Sequence, residues 1–323
     1  MKTTKNIDVF NGDADGICAL IQYRLANPVE STLVTGVKRD IKLLERVTAQ
    51  QGDTVTVFDI SMAKNDKALN KLLSEGASVF YVDHHLAGNI PDHPHLKTII
   101  DTSPAICTSL LIDQHLEGKY KEWAIVAAFG DNMLKSAREA SQVLGLSSSK
   151  INQLKELGIS INYNGYGSNL ADLYFKPDQL YKEMVTYNSP FDFIGDTDSV
   201  FEKLQSGFEN DIAKTIGLKP EADKPNTSIY ILPDEIWARR VSGVFGNQLA
   251  NEYPNSAHAI FTYHPSGGFI VSVRAPLNNL DYAGDLCSKF PSGGGRKGAA
   301  GINHLSEGDV DKFVSLFETT YNY

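Results

Sequence analysis

Ile7-Asp8-Val9-Phe10-Asn11-Gly12-Asp13-Ala14-Asp15-Gly16 decides how this chain is read. A short apolar run, Ile7 to Phe10, ends in two acids between glycines, and Ala14 to Ala26 then suits a helix. A strand that delivers carboxylates and turns straight into a helix is the first half of a parallel βαβ unit. Working outward, the pattern repeats. Thr32 to Thr35 reads as a strand, Ile41 to Ala49 as a helix, Val55 to Ile60 as a strand and Asp66 to Glu75 as a helix. Ser78 to Val82 and Lys97 to Ile100 are further strands. Ile106 to Leu116 and Glu122 to Met133 read as helices, the first opened by Ser103-Pro104. The expectation is an α/β fold with a parallel sheet wrapped by helices.

Acids and histidines recur where these segments end: Val57-Phe58-Asp59, Tyr81-Val82-Asp83-His84-His85 and Phe129-Gly130-Asp131-Asn132. In an open parallel sheet such ends face one crevice. Carboxylates gathered there repel unless positive charge sits between them, and divalent metal ions supply it. Each piece alone is weak, since Asp13-Ala14-Asp15-Gly16 also suits calcium loops and ordinary turns. Adjacent histidines leave the backbone in different directions, so one can ligate while the other faces a substrate. Asp83 is placed to orient a ligating histidine from behind. Oxygen-rich ligation with one imidazole favours manganese or magnesium over zinc.

The chain has 323 residues, 42% of them hydrophobic, enough for two domains with their own cores. No apolar run is long enough to span a bilayer, and the run after Met1-Lys2-Thr3-Thr4-Lys5-Asn6 is too short for a signal peptide. Cys18, Cys107 and Cys287 lie far apart in apolar contexts and read as reduced thiols. A cytoplasmic protein is expected, with no membrane partner and with a homodimer left open. The net charge of −9 argues against a long track along duplex nucleic acid, yet a small anionic substrate is compatible with it.

Residues 136–193 break the alternation. Ser136 to Leu144 and Ile151 to Leu157 look helical, and Asn162-Tyr163-Asn164-Gly165-Tyr166-Gly167 reads as a loop within an aromatic-rich helical extension. Val200 to Ile212 reads as an amphipathic helix. The polar, proline-bearing stretch 217–226 is read as a linker, dividing residues 1–216 from a smaller α/β domain at 227–323. In that domain Ala257 to Tyr263 and Phe269 to Ala275 form an expected hairpin, and Leu280 to Phe290 and Glu307 to Thr319 expected helices. Gly293-Gly294-Gly295-Arg296 offers backbone N–H groups and charge to an anion. Lys38, Arg39 and Asp40, after the second strand, read as a solvated loop.

The order Gly12-Asp13-Ala14-Asp15-Gly16, Asp59, Asp83-His84-His85 and Asp131 resembles the DHH phosphoesterase superfamily. The stretch Gly293 to Gly301 resembles the glycine-rich signature of its associated C-terminal domain, DHHA1. The resemblance implies an N-terminal parallel-sheet DHH domain, a smaller DHHA1-like domain and a two-metal hydrolase of phosphate esters, with manganese the leading ion and magnesium next. It implies that Asp13 binds one ion and Asp15 the other, that Asp59 bridges them, and that His84 and Asp131 complete the second. Asn11 and Asp83 stand behind these ligands, and His85 contacts the scissile phosphate. Arg274, in Ser272-Val273-Arg274, with Gly294, Gly295 and Arg296, would hold substrate phosphate. Two departures stand out. Val9 and Asn11 occupy positions where many members carry an upstream acidic or histidine ligand, which predicts a weak or water-completed first metal site. Arg296 stands where a histidine often follows the glycines.

The expected function is therefore a manganese- or magnesium-dependent phosphodiesterase for small nucleotides: short oligonucleotides, dinucleotides or nucleoside bisphosphates. The alternatives are a single-strand-specific exonuclease, a nucleotide sensor without turnover, and a structural interaction protein.

Overall fold

Short β-branched runs separated by helices pair in parallel, because a helix returns the chain to the same end of the sheet. Residues 4–321 are described by the computed structural model; Met1 to Thr3, part of the stretch read as too short for a signal peptide, lie outside them. The chain divides into two compact units: one runs to Gly165 and adds Leu173–Ser206, and the other joins Tyr166–Asp172 to the residues from Gly207 onward.

The first unit begins β1 (Asn6–Phe10), α1 (Ala14–Ala26), β2 (Thr32–Val34), β3 (Thr54–Phe58), α2 (Asp66–Ser74), β4 (Ser78–Asp83) and β5 (Leu96–Ile100). The sheet order is β2-β1-β3-β4-β5 and every pairing is parallel. From β1 the chain moves to β2 on one side and then to β3 on the other. The C-terminal ends of β1 and β3 therefore flank a switch in strand order, where open sheets leave a crevice. Strand periodicity splits the core. Phe10, Phe58, Phe80 and Val82 join one cluster, whereas Ile7, Val9, Val55, Val57, Val79 and Tyr81 join the other. Asp8 interrupts the apolar run but pairs internally with Arg24 of α1 and accepts from Ser31 Oγ at 2.6 Å.

There follow α3 (Thr108–His115), α4 (Lys121–Gly130), α5 (Leu134–Val143), α6 (Ser148–Gly165), α7 (Pro177–Met184), α8 (Pro190–Gly195) and α9 (Phe201–Ile212), within which the two units divide. Helices α1, α3, α4 and α6 cover the Phe10 face of the sheet. Backbones of α4 and α6 pass closely at Gly130 and Gly158. A Cβ on Gly158 would overlap the Val126 carbonyl oxygen, and one on Gly130 would overlap Ala14. That crossing brings Asp131, the next residue, in toward α1.

The second unit contains β6 (Ala222–Lys224), β7 (Thr227–Ile231), α10 (Ile236–Glu252), β8 (Ala257–Tyr263), β9 (Phe269–Arg274), α11 (Ala283–Cys287), β10 (Gly293–Gly295), β11 (Ala299–Leu305) and α12 (Val310–Tyr321). Its sheet order is β10-β11-β9-β8-β7-β6, and only β7 and β8 pair in parallel. Segment 166–172 is tied to α10 by Asp172, which accepts from Arg239 Nε at 3.0 Å and Nη2 at 3.1 Å. Among the described residues no helix is long and apolar enough to cross a membrane.

Several expectations need correction. Ile41 to Ala49 forms only one tight turn, Leu43–Arg46. Asn65 explains this: its amide donates to Ile41 O at 2.6 Å and accepts from Leu44 N at 3.2 Å, so backbone groups are satisfied without a helix. Asn162 to Gly165, expected in a loop, are the buried last turn of α6. The expected linker at 217–226 contains β6, and the units divide earlier, after Ser206. The triple glycine is a strand paired with β11, not an open nest. A Cβ on Gly293 would overlap the Cys287 carbonyl, and Gly295 sits at φ 142° against Ala300, so the glycines serve close packing.

Packing and burial give two measurable expectations. Gly158→Ala should cost about 2–3 kcal/mol, because the new methyl meets backbone and not a yielding side chain. Urea unfolding followed by fluorescence of the fully buried Trp123, in a Trp237→Phe background, measures it. In the second unit, burial pushes the His258 pKa down to about 4. Its folded value thus lies below the unfolded value near 6.5, so the unfolded chain takes up the proton first as pH falls. Stability is full above pH 6.5 and drains toward pH 4, by roughly 3 kcal/mol at about 1.4 kcal/mol per pH unit. The loss, followed through Trp237 fluorescence in a Trp123→Phe background, should be largely absent in His258→Gln.

Candidate metal centre

The crevice end of the first unit's sheet collects buried acids, each held by a different local device. Asp13 caps α1: its Oδ1 accepts from Asp15 N at 3.0 Å and Gly16 N at 3.1 Å. Asp15 receives the first N–H groups of α3 on both oxygens, Thr108 N at 2.8 Å and Ser109 N at 2.7 Å. Asp59 follows β3 in the left-handed region, at φ 58°, where aspartate is one of the few tolerated side chains. Its N–H still donates to Val82 O at 3.1 Å, so the turn is locked to β4. Asp131 follows the end of α4 and its N–H donates to Ala127 O at 2.9 Å. A carboxylate at a helix C-terminus opposes the helix dipole, and a nearby cation offsets that cost.

His84 is the centre of the arrangement. Its Nδ1 donates to the Ile106 carbonyl at 2.9 Å, and since a carbonyl only accepts, the proton on Nδ1 is assigned. Nε2 then faces three carboxylates: Asp59 Oδ1 at 3.3 Å, Asp15 Oδ2 at 3.7 Å and Asp131 Oδ2 at 4.0 Å. All four side chains are buried or nearly so. With Nε2 unprotonated, a lone pair points at carboxylate lone pairs, an arrangement that a positive charge in their midst relieves. Asp15, His84 and Asp131 offer ligand atoms close enough for a metal ion, as do Asp59, His84 and His85. The donor set fits a divalent cation that prefers oxygen with one imidazole nitrogen.

The electrostatics agree. Burial, with the charges of Asp13 and Asp15 added, pushes the Asp59 carboxyl well above the usual carboxylate range. His85 turns its Nδ1 to Asp83 Oδ1 at 2.7 Å. Burial works against charge on both partners, but their mutual attraction prevails. The imidazole pKa rises and the Asp83 pKa falls.

Sequence reading and structure differ in detail. Asp83 orients His85, whereas the orienting group for His84 is a backbone carbonyl that no side-chain pattern reveals. Asp13 stands beside the cluster but is committed to the cap of α1 and to an ion pair with Lys38. Lys38, read as part of a solvated loop, reaches Asp13 and also Asp131 Oδ1 at 3.5 Å and Asn162 Oδ1 at 3.0 Å. Asn162, Thr108 and Ser109 carry no sequence signal that singles them out either. Asn11 gives its amide N–H to Lys38 O at 3.2 Å, and its Oδ1 is buried without a hydrogen-bond partner. In the second unit Arg274 is 8% exposed, and it donates to Asn247 Oδ1 at 2.6 Å, Tyr166 OH at 3.2 Å, Gly243 O at 3.1 Å and Val273 O at 3.1 Å. Internal acceptors therefore take four of its five N–H groups.

No protein-family model matches the chain, and no curated protein matches it by sequence. Among solved structures it is similar to a DHH-domain protein described as a member of a family of ribosomal proteins, with TM-score 0.64 and 14% identity over 98% of this chain and 86% of that one. It is also similar to the exonuclease RecJ bound to manganese, with TM-score 0.61 and 16% identity over 98% and 90% of the two chains. An exopolyphosphatase-related protein from Bacteroides fragilis aligns with TM-score 0.51 and 15% identity over 99% and 92%. The chain shares its fold with these proteins, the first of which is described as a DHH-domain protein.

If repulsion among these carboxylates is the dominant cost, Asp59→Asn should stabilise the protein in chelator by about 1–2 kcal/mol at pH 8. Asparagine also tolerates the left-handed turn. The same substitution should abolish the stabilisation by manganese, about 2.7 kcal/mol at a hundredfold excess over Kd for wild type. Thermal melts with EDTA and with manganese give both signs.

Proposed function

We propose that this protein is a metal-dependent phosphoesterase whose substrates are small nucleotide phosphodiesters. The observation that carries the reading is the orientation of His84: with Nδ1–H held by Ile106 O, its other nitrogen faces the carboxylates of Asp15, Asp59 and Asp131. Asp15, His84 and Asp131 would hold a divalent cation, manganese or magnesium, with Asp59 at the same edge of the imidazole. A bound cation of this kind polarises a phosphoryl oxygen and makes water a better nucleophile near neutral pH.

The chain's own residues do the rest. The N–H groups of Thr108 and Ser109 fix the Asp15 carboxylate, and the left-handed turn fixes Asp59, so neither must reorganise during reaction. His85, with a raised pKa and Nδ1 committed to Asp83, offers Nε2–H to a phosphate oxygen. In the second unit Arg274 supports an anion seat. Its buried charge has only neutral partners among the described residues, and one N–H remains. Arg296, half-buried beside Gly294 and Gly295, is the further candidate for substrate phosphate.

Small substrates suit a chain of net charge −9 better than a long strand does. The likeness to the exonuclease RecJ keeps degradation of single strands as the second reading.

The test is hydrolysis of a linear dinucleotide, a nucleoside bisphosphate and a labelled single-stranded oligonucleotide, with manganese, magnesium or EDTA. Turnover should require metal and be highest for the dinucleotide or the bisphosphate. His84→Ala and Asp59→Asn should each lower kcat by roughly 10³-fold. Equal turnover in EDTA would sink the reading, and faster processing of the long strand would favour the exonuclease.

A further inference from the structure

Lys38 lies against Asp13, the residue expected to bind the first metal ion, and bridges it to Asp131. Its ammonium has three donors, and three acceptors meet it: Asp13 Oδ2, Asn162 Oδ1 at 3.0 Å and Asp131 Oδ1 at 3.5 Å. The stem is anchored too. Lys38 N donates to Gly165 O at 2.8 Å, and Lys38 O accepts from Asn11 Nδ2 at 3.2 Å. The side chain is 22% exposed, so this is a held position and not a surface excursion.

Asp131 divides the centre. Its Oδ1 faces Lys38, and its Oδ2 faces His84 Nε2 at 4.0 Å. On the lysine side a covalently attached cation already balances Asp13. On the histidine side Asp15, Asp59 and the second oxygen of Asp131 converge on an imidazole lone pair. Asn11, a neutral amide, adds no charge to attract an ion on the lysine side, and its amide N–H is spent on the Lys38 carbonyl.

We propose that the Lys38 ammonium takes the place of the first of the two metal ions. The chain would then bind a single divalent cation at His84, between Asp15 and Asp131 with Asp59 beside them. This rests on the metal-dependent reading above and deepens it: ion plus ammonium replaces an ion pair. Lys38 is a positioning residue in this scheme, because it holds Asp13 and Asp131 at fixed places beside the ion.

The experiment is metal stoichiometry on the full chain, by equilibrium dialysis against manganese with elemental analysis, and by electron paramagnetic resonance. Wild type should bind one manganese per chain and give an uncoupled, mononuclear signal. Lys38→Arg should also bind one. Lys38→Ser, which removes the charge and opens space between Asp13 and Asp131, should bind two, with spin coupling between them. Two coupled ions in wild type would overturn the proposal and leave the metal-dependent reading standing. So would a count of one in folded Lys38→Ser, because the lysine would then not be what excludes the second ion. No bound manganese in wild type would overturn both readings. Should Lys38→Ser fail to fold, the wild-type count and signal still decide.

Discussion

Carboxylates withdrawn from water must face positive charge, and that constraint organises the first unit. Asp13, Asp15, Asp59, Asp83 and Asp131 are all buried or nearly so at one end of one sheet. Each is met in a different way. The opening N–H groups of α1 and α3 serve Asp13 and Asp15, His85 serves Asp83, and Lys38 bridges Asp13 and Asp131. What these devices leave uncompensated converges on His84 Nε2, where a cation would balance it.

The architecture supports that convergence at some cost. The switch in strand order between β1 and β3 brings Asp13, Asp15 and Asp59 to one crevice. Asp59 adopts a left-handed backbone that most residues avoid, and the glycine crossing of α4 and α6 is needed to bring Asp131 in. Backbone strain, like charges in proximity and an acid at a helix C-terminus each weaken the fold locally. Their coincidence at one place is what a site selected for chemistry looks like.

The strands and their terminal acids were legible because period and composition are local. Five parallel strands and the expected hairpin could be read from β-branched runs and their spacing. The helix expected at Ile41 to Ala49 failed because Asn65, distant in sequence, satisfies the backbone there. The glycines at 293–295 resembled an anion nest, and in the fold they allow β10 to pass the end of α11. The internal acceptors of Arg274, which bind four of its five N–H groups within the second unit, were not legible either. In each case the outcome rested on how the folded backbone places the partners.

By itself the sequence determined the kind of chemistry: oxygen donors and imidazoles at strand ends, in an order that resembles one phosphoesterase superfamily. Residue type and spacing carry that information, because a carboxylate is a ligand wherever it lies. Only the tertiary structure decided how positive charge is apportioned. A lysine in an unremarkable loop reaches Asp13 because Gly165 and Asn11 hold its backbone, and the tautomer of His84 is set by a carbonyl, a group every residue carries. Such partners have no sequence signature, since their effect depends on where the folded backbone places them.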